Sequence, residues 1–536
     1  MVNIRKLNKA LAFVKNKEFE AAEKIYSELL RESPNSDVVL SFWGMFNLKK
    51  GLLNKAEKIL ESAYKIKKSP STIASLAYTK YKLKKFDDSI ILYEELFRYD
   101  KDSEHIYQKI IECFRMLKMF NFASAYCQKY IKAHPESPHA MFLITQNYFD
   151  LGEYKKAEDA CARAIEKCPE NPSNWINAGF LQELLYNNEE LAQECYLKAI
   201  EGKDTQAYYH LAVSLQKAGK LEQAEENYKK ALSIYPDDND IKSALACLYL
   251  SQRKFEQGAK LFCEATTCIS IEDFSQFCNQ DKTVLITTEG GFGDSIQFAR
   301  YLPYLEEKFK KVNVYIRTPL ITLLKRSFPS IEFYDSDVEN IEYDISIPIM
   351  GLPYYLGLDF DHIPAKDGFL VVDEIKVDNF KTRYFNTAKP KIGLCWKAGD
   401  MNIRAAINRT INIDYFKPLL ELKNVEFYSF QVGDIFEGIK KYPQIINIAQ
   451  EFKTFDDTAA AMKNLDALIS VDSACIHIAG GLGIDSKLLI PYCSDWRWFD
   501  NTKNTEWYSS IDIIKQQERQ DWYKEIDILT EYIKEF

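Results

Sequence analysis

Small residues recur at one spacing through the first half of this chain, and that recurrence leaves little choice of fold. Ala22, Ala56, Ser89, Ala123, Ala157, Ala192, Ala224 and Gly258 follow one another every 32 to 35 residues. Seven places after each stands Leu29, Ala63, Leu96, Tyr130, Ala164, Ala199, Ala231 or Ala265, and between them lie large groups such as Tyr26, Tyr93, Tyr196 and Tyr228. A small side chain lets two helices cross closely, and a large one fills the gap to the next pair. Pro34, Pro135, Pro169 and Pro236 stop the second helix of their units, because proline has no N–H to continue it. A period of this length predicts two-helix units stacked into a solenoid, each burying the apolar face of its neighbour. In the sixth unit a polar Asn187-Asn188 replaces the usual turn.

The pattern resembles the tetratricopeptide repeat, in eight consecutive units over roughly residues 4 to 268. That resemblance implies a superhelix whose concave face binds a peptide or partner protein. A rigid spacer or an oligomerisation surface is the plainer alternative.

Composition narrows the remaining classes. Hydrophobic residues at 46% and charged residues at 27% are ordinary for globular domains. A net charge of -9 gives no electrostatic reason to expect nucleic acid or an anionic membrane as partner. No run of 18 apolar residues predicts a spanning helix, and the charged N-terminus does not read as a signal peptide. The twelve cysteines are scattered without a CxxC pair. Free thiols in a reducing cytoplasm account for them, and no metal site is expected.

From Lys282 the period changes to short apolar strands alternating with helices, which predicts parallel sheets in two Rossmann-like lobes. The first lobe offers strands at 284–287, 312–316, 331–334 and 343–347, with helices near 295–309 and 320–328. The second offers strands at 392–396, 425–431, 467–471 and 487–490. Its helices fall near 414–422, 457–463 and 474–482, with a closing segment from 522 to 536. The expected domains are 1–270 for the repeats, 271–385 for the first lobe and 386–536 for the second.

Four groups of residues gather at predicted strand ends, where open parallel sheets bind ligands. Glu289-Gly290-Gly291-Phe292-Gly293-Asp294 is a glycine turn with a carboxylate at its lip. Cys395-Trp396-Lys397-Ala398-Gly399, followed by Arg404 and Asn408-Arg409-Thr410, is a strand ending in a loop of cations suited to phosphate. Phe430-Gln431-Val432-Gly433 ends a strand in an amide and a glycine. Ser470 to Gly483 runs from strand into helix through Asp472 and Ser473, so helix N–H groups face an anion there. Asp294 reads equally as the cap of the helix it precedes, and His477 as a histidine of the core.

VDSACIHIAGGLG, EGGFGDSIQFARYLP, the Asn408-Arg409-Thr410 loop and Asp495-Trp496-Arg497-Trp498 together resemble the glycosyltransferase domain of bacterial tetratricopeptide-repeat proteins. That domain is similar to the ADP-heptose:LPS heptosyltransferase family, of GT-B fold, and the match covers about 282 to 515. The plan of a repeat superhelix joined to a GT-B enzyme is also similar to O-GlcNAc transferase and to flagellin glycosyltransferases.

The resemblance implies a metal-independent, inverting transfer of sugar from a nucleotide-sugar donor to a protein held by the repeats, flagellin being one candidate. It implies Asp294 as base, with Gly291, Gly293 and Gln297 on the acceptor side. On the donor side it implies Lys397 and Arg409 at the phosphate, Ser473 and the helix start holding phosphate, and Asp472 on donor hydroxyls. His477 would meet phosphate or ribose, and Gln431 and Gly433 the nucleoside. Lys397 departs from the small residue expected after that tryptophan. Asp495-Trp496-Arg497-Trp498 reads also as packing around an ion pair. Asp335-Ser336-Asp337 and Asp359-Phe360-Asp361 read as loop acids, and the turn at Gly290 lacks the third glycine of an NAD fingerprint. A scaffold with an inactive or nucleotide-sensing second half is the alternative, and transfer to a glycan or lipid a third.

Overall fold

A computed structural model describes residues 3–266, 269–336, 341–399, 409–433, 439–499, 503–519 and 521–536. The first half is helical. Sixteen helices, from Ile4–Lys15 to Phe255–Thr266, form eight consecutive pairs among the described residues. The recurring small residues Ala22, Ala56, Ser89, Ala123, Ala157, Ala192 and Ala224 are all fully buried, so the spacing does report where helices cross. Tyr26, Tyr93, Tyr196 and Tyr228 are buried beside them. Each such side chain contributes about 1.5–3 kcal/mol by leaving water.

The turn within each pair contains one residue of positive φ: Lys17, Gly51, Lys84, Lys118, Gly152, Asn187, Gly219 and Arg253. Only three are glycines, so this second register is hidden from a search for glycine turns. The irregular sixth unit keeps the same geometry. Asn187 takes the left-handed conformation that ends one helix, and Asn188 accepts a hydrogen bond from Leu191 N at 3.0 Å to begin the next.

By contact density the chain divides into Met1–Leu211 and Ala212–Phe536. The last repeats therefore pack with the α/β half.

Beyond the repeats lie β1 (Thr283–Thr287), α1 (Phe292–Ala299), β2 (Lys311–Tyr315), α2 (Thr318–Ser327), β3 (Glu332–Tyr334) and β4 (Ile345–Pro348). They continue with α3 (Glu374–Tyr384), β5 (Lys391–Cys395), β6 (Glu426–Ser429), β7 (Ile445–Asn447) and α4 (Phe455–Met462). β8 (Ala467–Val471), α5 (Ala474–Leu482), β9 (Ser486–Ile490), β10 (Ile511–Lys515) and α6 (Tyr523–Lys534) complete the chain. One sheet has the order β3-β2-β1-β4, the other β10-β9-β8-β5-β6-β7. Every pairing is parallel. Counted from β5, the larger sheet runs 3-2-1-4-5-6, the doubly wound order whose direction reverses between its first and fourth strands.

A single core joins the two sheets. Ile286, Ile296 and Leu302 from the first half of it meet Leu468, Ile476 and Leu488 from the second, with Leu250 and Cys263 of the last repeats packed in. The far face of the larger sheet is closed by Ile526, Leu529 and Ile533 of α6.

The strand series is close to expectation, and β8 and α5 match to the residue. The helix expected over 295–309 is broken. α1 starts three residues early, because the Asp294 carboxylate caps it from inside at Gly291, and it stops at Ala299. Pro303 then opens a separate single turn, Pro303–Glu306. The helix expected near 414–422 is a 3-10 turn, Ile413–Phe416, followed by Lys417–Leu420, with Pro418 at the junction. β7, β10 and α3 lie outside the expected series. No helix of the described residues is long and apolar enough to cross a membrane.

Candidate functional site

The site forms where the reversal points of the two sheets meet. The turn after β1 leads into α1, and α1 packs against α5, which follows β8. Gly290 has φ +77°, and a Cβ there would sit 2.3 Å from Asp294 Oδ2. A Cβ on Gly293 would lie 2.7 Å from the His477 ring. Both glycines are thus required by close approach.

Asp294 uses both its oxygens. Oδ2 accepts from Gly291 N at 2.5 Å, and Oδ1 pairs with Arg497 Nη2. Arg497 also reaches Asp495 Oδ1 at 2.5 Å and lies over the Trp496 ring. Burial works against the Arg497 charge, and Asp294, Asp495 and Asp472 outweigh it, so its pKa rises. Asp495-Trp496-Arg497-Trp498 is therefore packing around an ion pair, and the ion pair includes the glycine-turn carboxylate.

Across from it, Asp472 Oδ2 lies 3.2 Å from Arg409 Nη1. Burial pushes the Asp472 carboxyl up, opposed by Arg409. His477 is buried; its Nδ1 is 3.0 Å from Tyr508 Oη, its ring stacks 5.5 Å from Trp498, and Nε2 lies 3.9 Å from Asp472 Oδ1. Burial, reinforced by Arg497, Arg300 and Arg409, holds the imidazole well below its usual range, so it is neutral. The His477 ring is thus buried among Tyr508 and Trp498, with Nε2 on the side of Asp472.

Gln431 acts as a brace. Its Oε1 accepts from Lys397 N at 2.7 Å and Trp396 N at 3.2 Å, which ties the loop after β5 to the end of β6. Gly433 comes two residues later, in a positive-φ conformation. Ser473 begins α5 without a side-chain cap, and its Oγ lies 3.2 Å from Ser470 Oγ. Gln297 is fully buried on α1, and neither amide atom has a hydrogen-bond partner among the described residues. Arg404 and Asn408 lie outside the described residues, as does Asp337. Asp359 Oδ1 accepts from Asp361 N at 3.0 Å and so caps a turn. Asp335 Oδ2 accepts from Thr318 Oγ1 at 2.6 Å. Among the described residues no group of three His, Cys, Asp or Glu side chains is placed to hold a metal ion.

Two residues have no assigned role in the sequence reading. Arg317, at the end of β2, donates to Gly290 O and lies 4.8 Å over the Phe292 ring, so it pins the glycine turn. Its place just after a predicted strand is the signal that could have found it. Glu289, at the end of β1, accepts from Met350 N at 2.9 Å. Its Oε2 is shielded from water without a partner among the described residues. Burial, with a smaller push from Asp294, raises this carboxyl to about 7.

Two family models match inside the helical half, both described as tetratricopeptide repeat, over residues 205–238 and 123–172. The chain carries tetratricopeptide repeats. Protein FlbA of Caulobacter vibrioides is 24% identical over 352 residues, 57% of each chain, so the chain spans little more than half the length of that relative. Among solved structures, a tetratricopeptide repeat protein from Parabacteroides merdae is 17% identical with TM-score 0.40, over 45% of this chain and 96% of its own. Yeast Tom70 is 16% identical with TM-score 0.39, over 48% and 57%. The tetratricopeptide repeats suit the binding of a protein partner.

Proposed function

We propose that the chain is a metal-independent, inverting glycosyltransferase of GT-B architecture, which moves sugar from a nucleotide-sugar donor to a protein recruited by its repeats. One observation carries the reading: two parallel sheets, ordered β3-β2-β1-β4 and β10-β9-β8-β5-β6-β7, are joined where α1, with Asp294 in its first turn, packs against α5, the helix that starts after β8. The donor lies on the β5–β8 side and the acceptor hydroxyl near Asp294.

The hydroxyl oxygen bonds to the anomeric carbon as the bond from that carbon to phosphate breaks, and Asp294 takes the hydroxyl proton. Arg409, Lys397 and the first N–H groups of α5 receive the charge of the departing nucleotide. Arg409 exchanges its contact with Asp472 for phosphate, which frees Asp472 for donor hydroxyls. Flagellin is one candidate acceptor.

A scaffold is the second reading. It is favoured by the double engagement of Asp294, whose oxygens are committed to Gly291 N and Arg497. Asp294→Asn separates the two, because it keeps shape and loses the base. Incorporation of labelled sugar into protein by the full chain, offered mixed nucleotide sugars and a lysate of its source, falls at least ~100-fold in the variant if Asp294 is the base. Undiminished incorporation removes that role, and none in the wild type favours the scaffold.

A further inference from the structure

Two thiols meet at the reversal point of the larger sheet. Cys395 is the last residue of β5, and Cys475 lies in the first turn of α5. Cys395 Sγ is 3.5 Å from Gln431 Oε1 and 3.5 Å from Ser473 Oγ, and Cys475 Sγ is 3.7 Å from Phe430 O. The two thiols also hydrogen-bond to each other. Both are buried without being sealed, at 4% and 8% exposure, and the half-buried Lys397 and Ser473 stand two residues away along the chain. Among the described residues no third His, Cys, Asp or Glu joins them as a metal site.

Their surroundings treat the two sulfurs differently. The hydrogen bond from Cys475 lowers the Cys395 thiol most; burial opposes it, and Ser473, Ser470 and Lys397 N reinforce it. The same contact, with burial, raises Cys475. Elsewhere burial pushes Cys127 and Cys161 up to about 12. An acidified thiol touching a neutral one is the arrangement of an attacking and a resolving cysteine, whereas a thiol walled in by apolar groups is inert.

We propose that Cys395 and Cys475 are a peroxide-sensitive dithiol that closes reversibly to a disulfide and so switches the start of α5. The Cys395 sulfur attacks one peroxide oxygen, the O–O bond breaks, and a sulfenic acid and one water result. The Cys475 sulfur then bonds to that sulfur as its S–O bond breaks, and the Cys475 proton leaves in a second water. The two thiols lose two electrons, and the peroxide gains them. The link ties the first turn of α5, beside Ser473, to the strand that leads into Lys397. Its effect on a nucleotide rests on the glycosyl-transfer reading; formation of the disulfide does not.

The full chain is treated with hydrogen peroxide and its remaining thiols are alkylated. Trypsin places the two cysteines on separate peptides, 392–397 and 464–487, so mass spectrometry reads the link directly. The linked pair is expected at least roughly tenfold sooner than oxidation of the fully buried Cys127, and dithiothreitol is expected to undo it. In Cys475→Ser, Cys395 is expected to stop at sulfenic acid and to be captured by dimedone. A folded chain without the linked peptide, oxidation of Cys127 at the same rate, or no dimedone adduct on Cys395 overturns the proposal. If the serine variant does not fold, Cys475→Ala replaces it, and the mapping of the wild type needs neither. A nucleotide's rise in Tm is expected to vanish on oxidation and to return with dithiothreitol, and an equal rise in both forms overturns the switch. If no nucleotide raises the Tm of the reduced chain, the transfer reading fails, and the linked peptide alone decides whether the disulfide forms.

Discussion

Glu289→Gln tests the electrostatics at the end of β1 without touching the chain's shape. The wild-type carboxyl accepts a hydrogen bond from Met350 N at 2.9 Å, and its other oxygen is shielded from water. Burial first, and then Asp294, raise it from 4.5 to about 7. A difference of about 2.5 units corresponds to about 3 kcal/mol between pH extremes. Between those two values the folded chain retains a proton that the unfolded chain has released. Its stability therefore falls as pH rises, with this contribution intact below about 4.5 and lost above about 7.

Glutamine cannot titrate, so its cost is the same at every pH. Other groups titrate equally in both proteins and cancel in the comparison. The assay is urea unfolding of wild type and variant from pH 5 to 8, followed by tryptophan fluorescence. That signal reports mainly the sheets, because five of the seven tryptophans, Trp396, Trp496, Trp498, Trp507 and Trp522, lie after residue 282. The variant should gain on the wild type by about 2–3 kcal/mol between pH 5 and pH 8. Parallel pH profiles would show that Glu289 ionises like an exposed acid, and would refute the reasoning.

Two further substitutions probe packing. Gly480→Ala places a Cβ 2.3 Å from the buried ring of Tyr508, which also holds His477; a loss of about 1–3 kcal/mol, seen as a fall of several degrees in Tm, is expected. Ala224→Leu overfills a fully buried helix crossing in the seventh repeat and should cost about as much; an unchanged Tm would mean that the crossing has room to spare.

The repeats were legible because a helix crossing tolerates only small side chains, so Ala22 through Gly258 state the architecture directly. β8 and α5 were legible to the residue because the run Ala467–Val471 is buried on both faces and α5 ends at Gly483, a left-handed glycine. β7 escaped because three residues, Ile445–Asn447, carry too little pattern. β10 escaped because Asp512 interrupts its apolar run, which is the mark of an outer strand. In α3 only Val377 and Phe380 are buried, too few to reveal a period. The site's residue types were visible, but its partnerships were not. Arg497 meets Asp294 across 203 positions, and Arg409 meets Asp472 across 63, and nothing local encodes either distance.

Binding of nucleotides to the full chain tests the central claim most directly. Thermal shift against CMP, UDP, GDP, ADP and dTDP, each for wild type and Arg409→Ala, needs no knowledge of the acceptor. Each protein is compared with its own unliganded Tm, because removing Arg409 also leaves Asp472 buried without its cation. A nucleotide at about 100 times its Kd adds about 2.7 kcal/mol of stability. The glycosyltransferase account predicts a rise in Tm with one nucleotide in the panel, and its loss in Arg409→Ala. A folded chain that none of the five stabilises would contradict it.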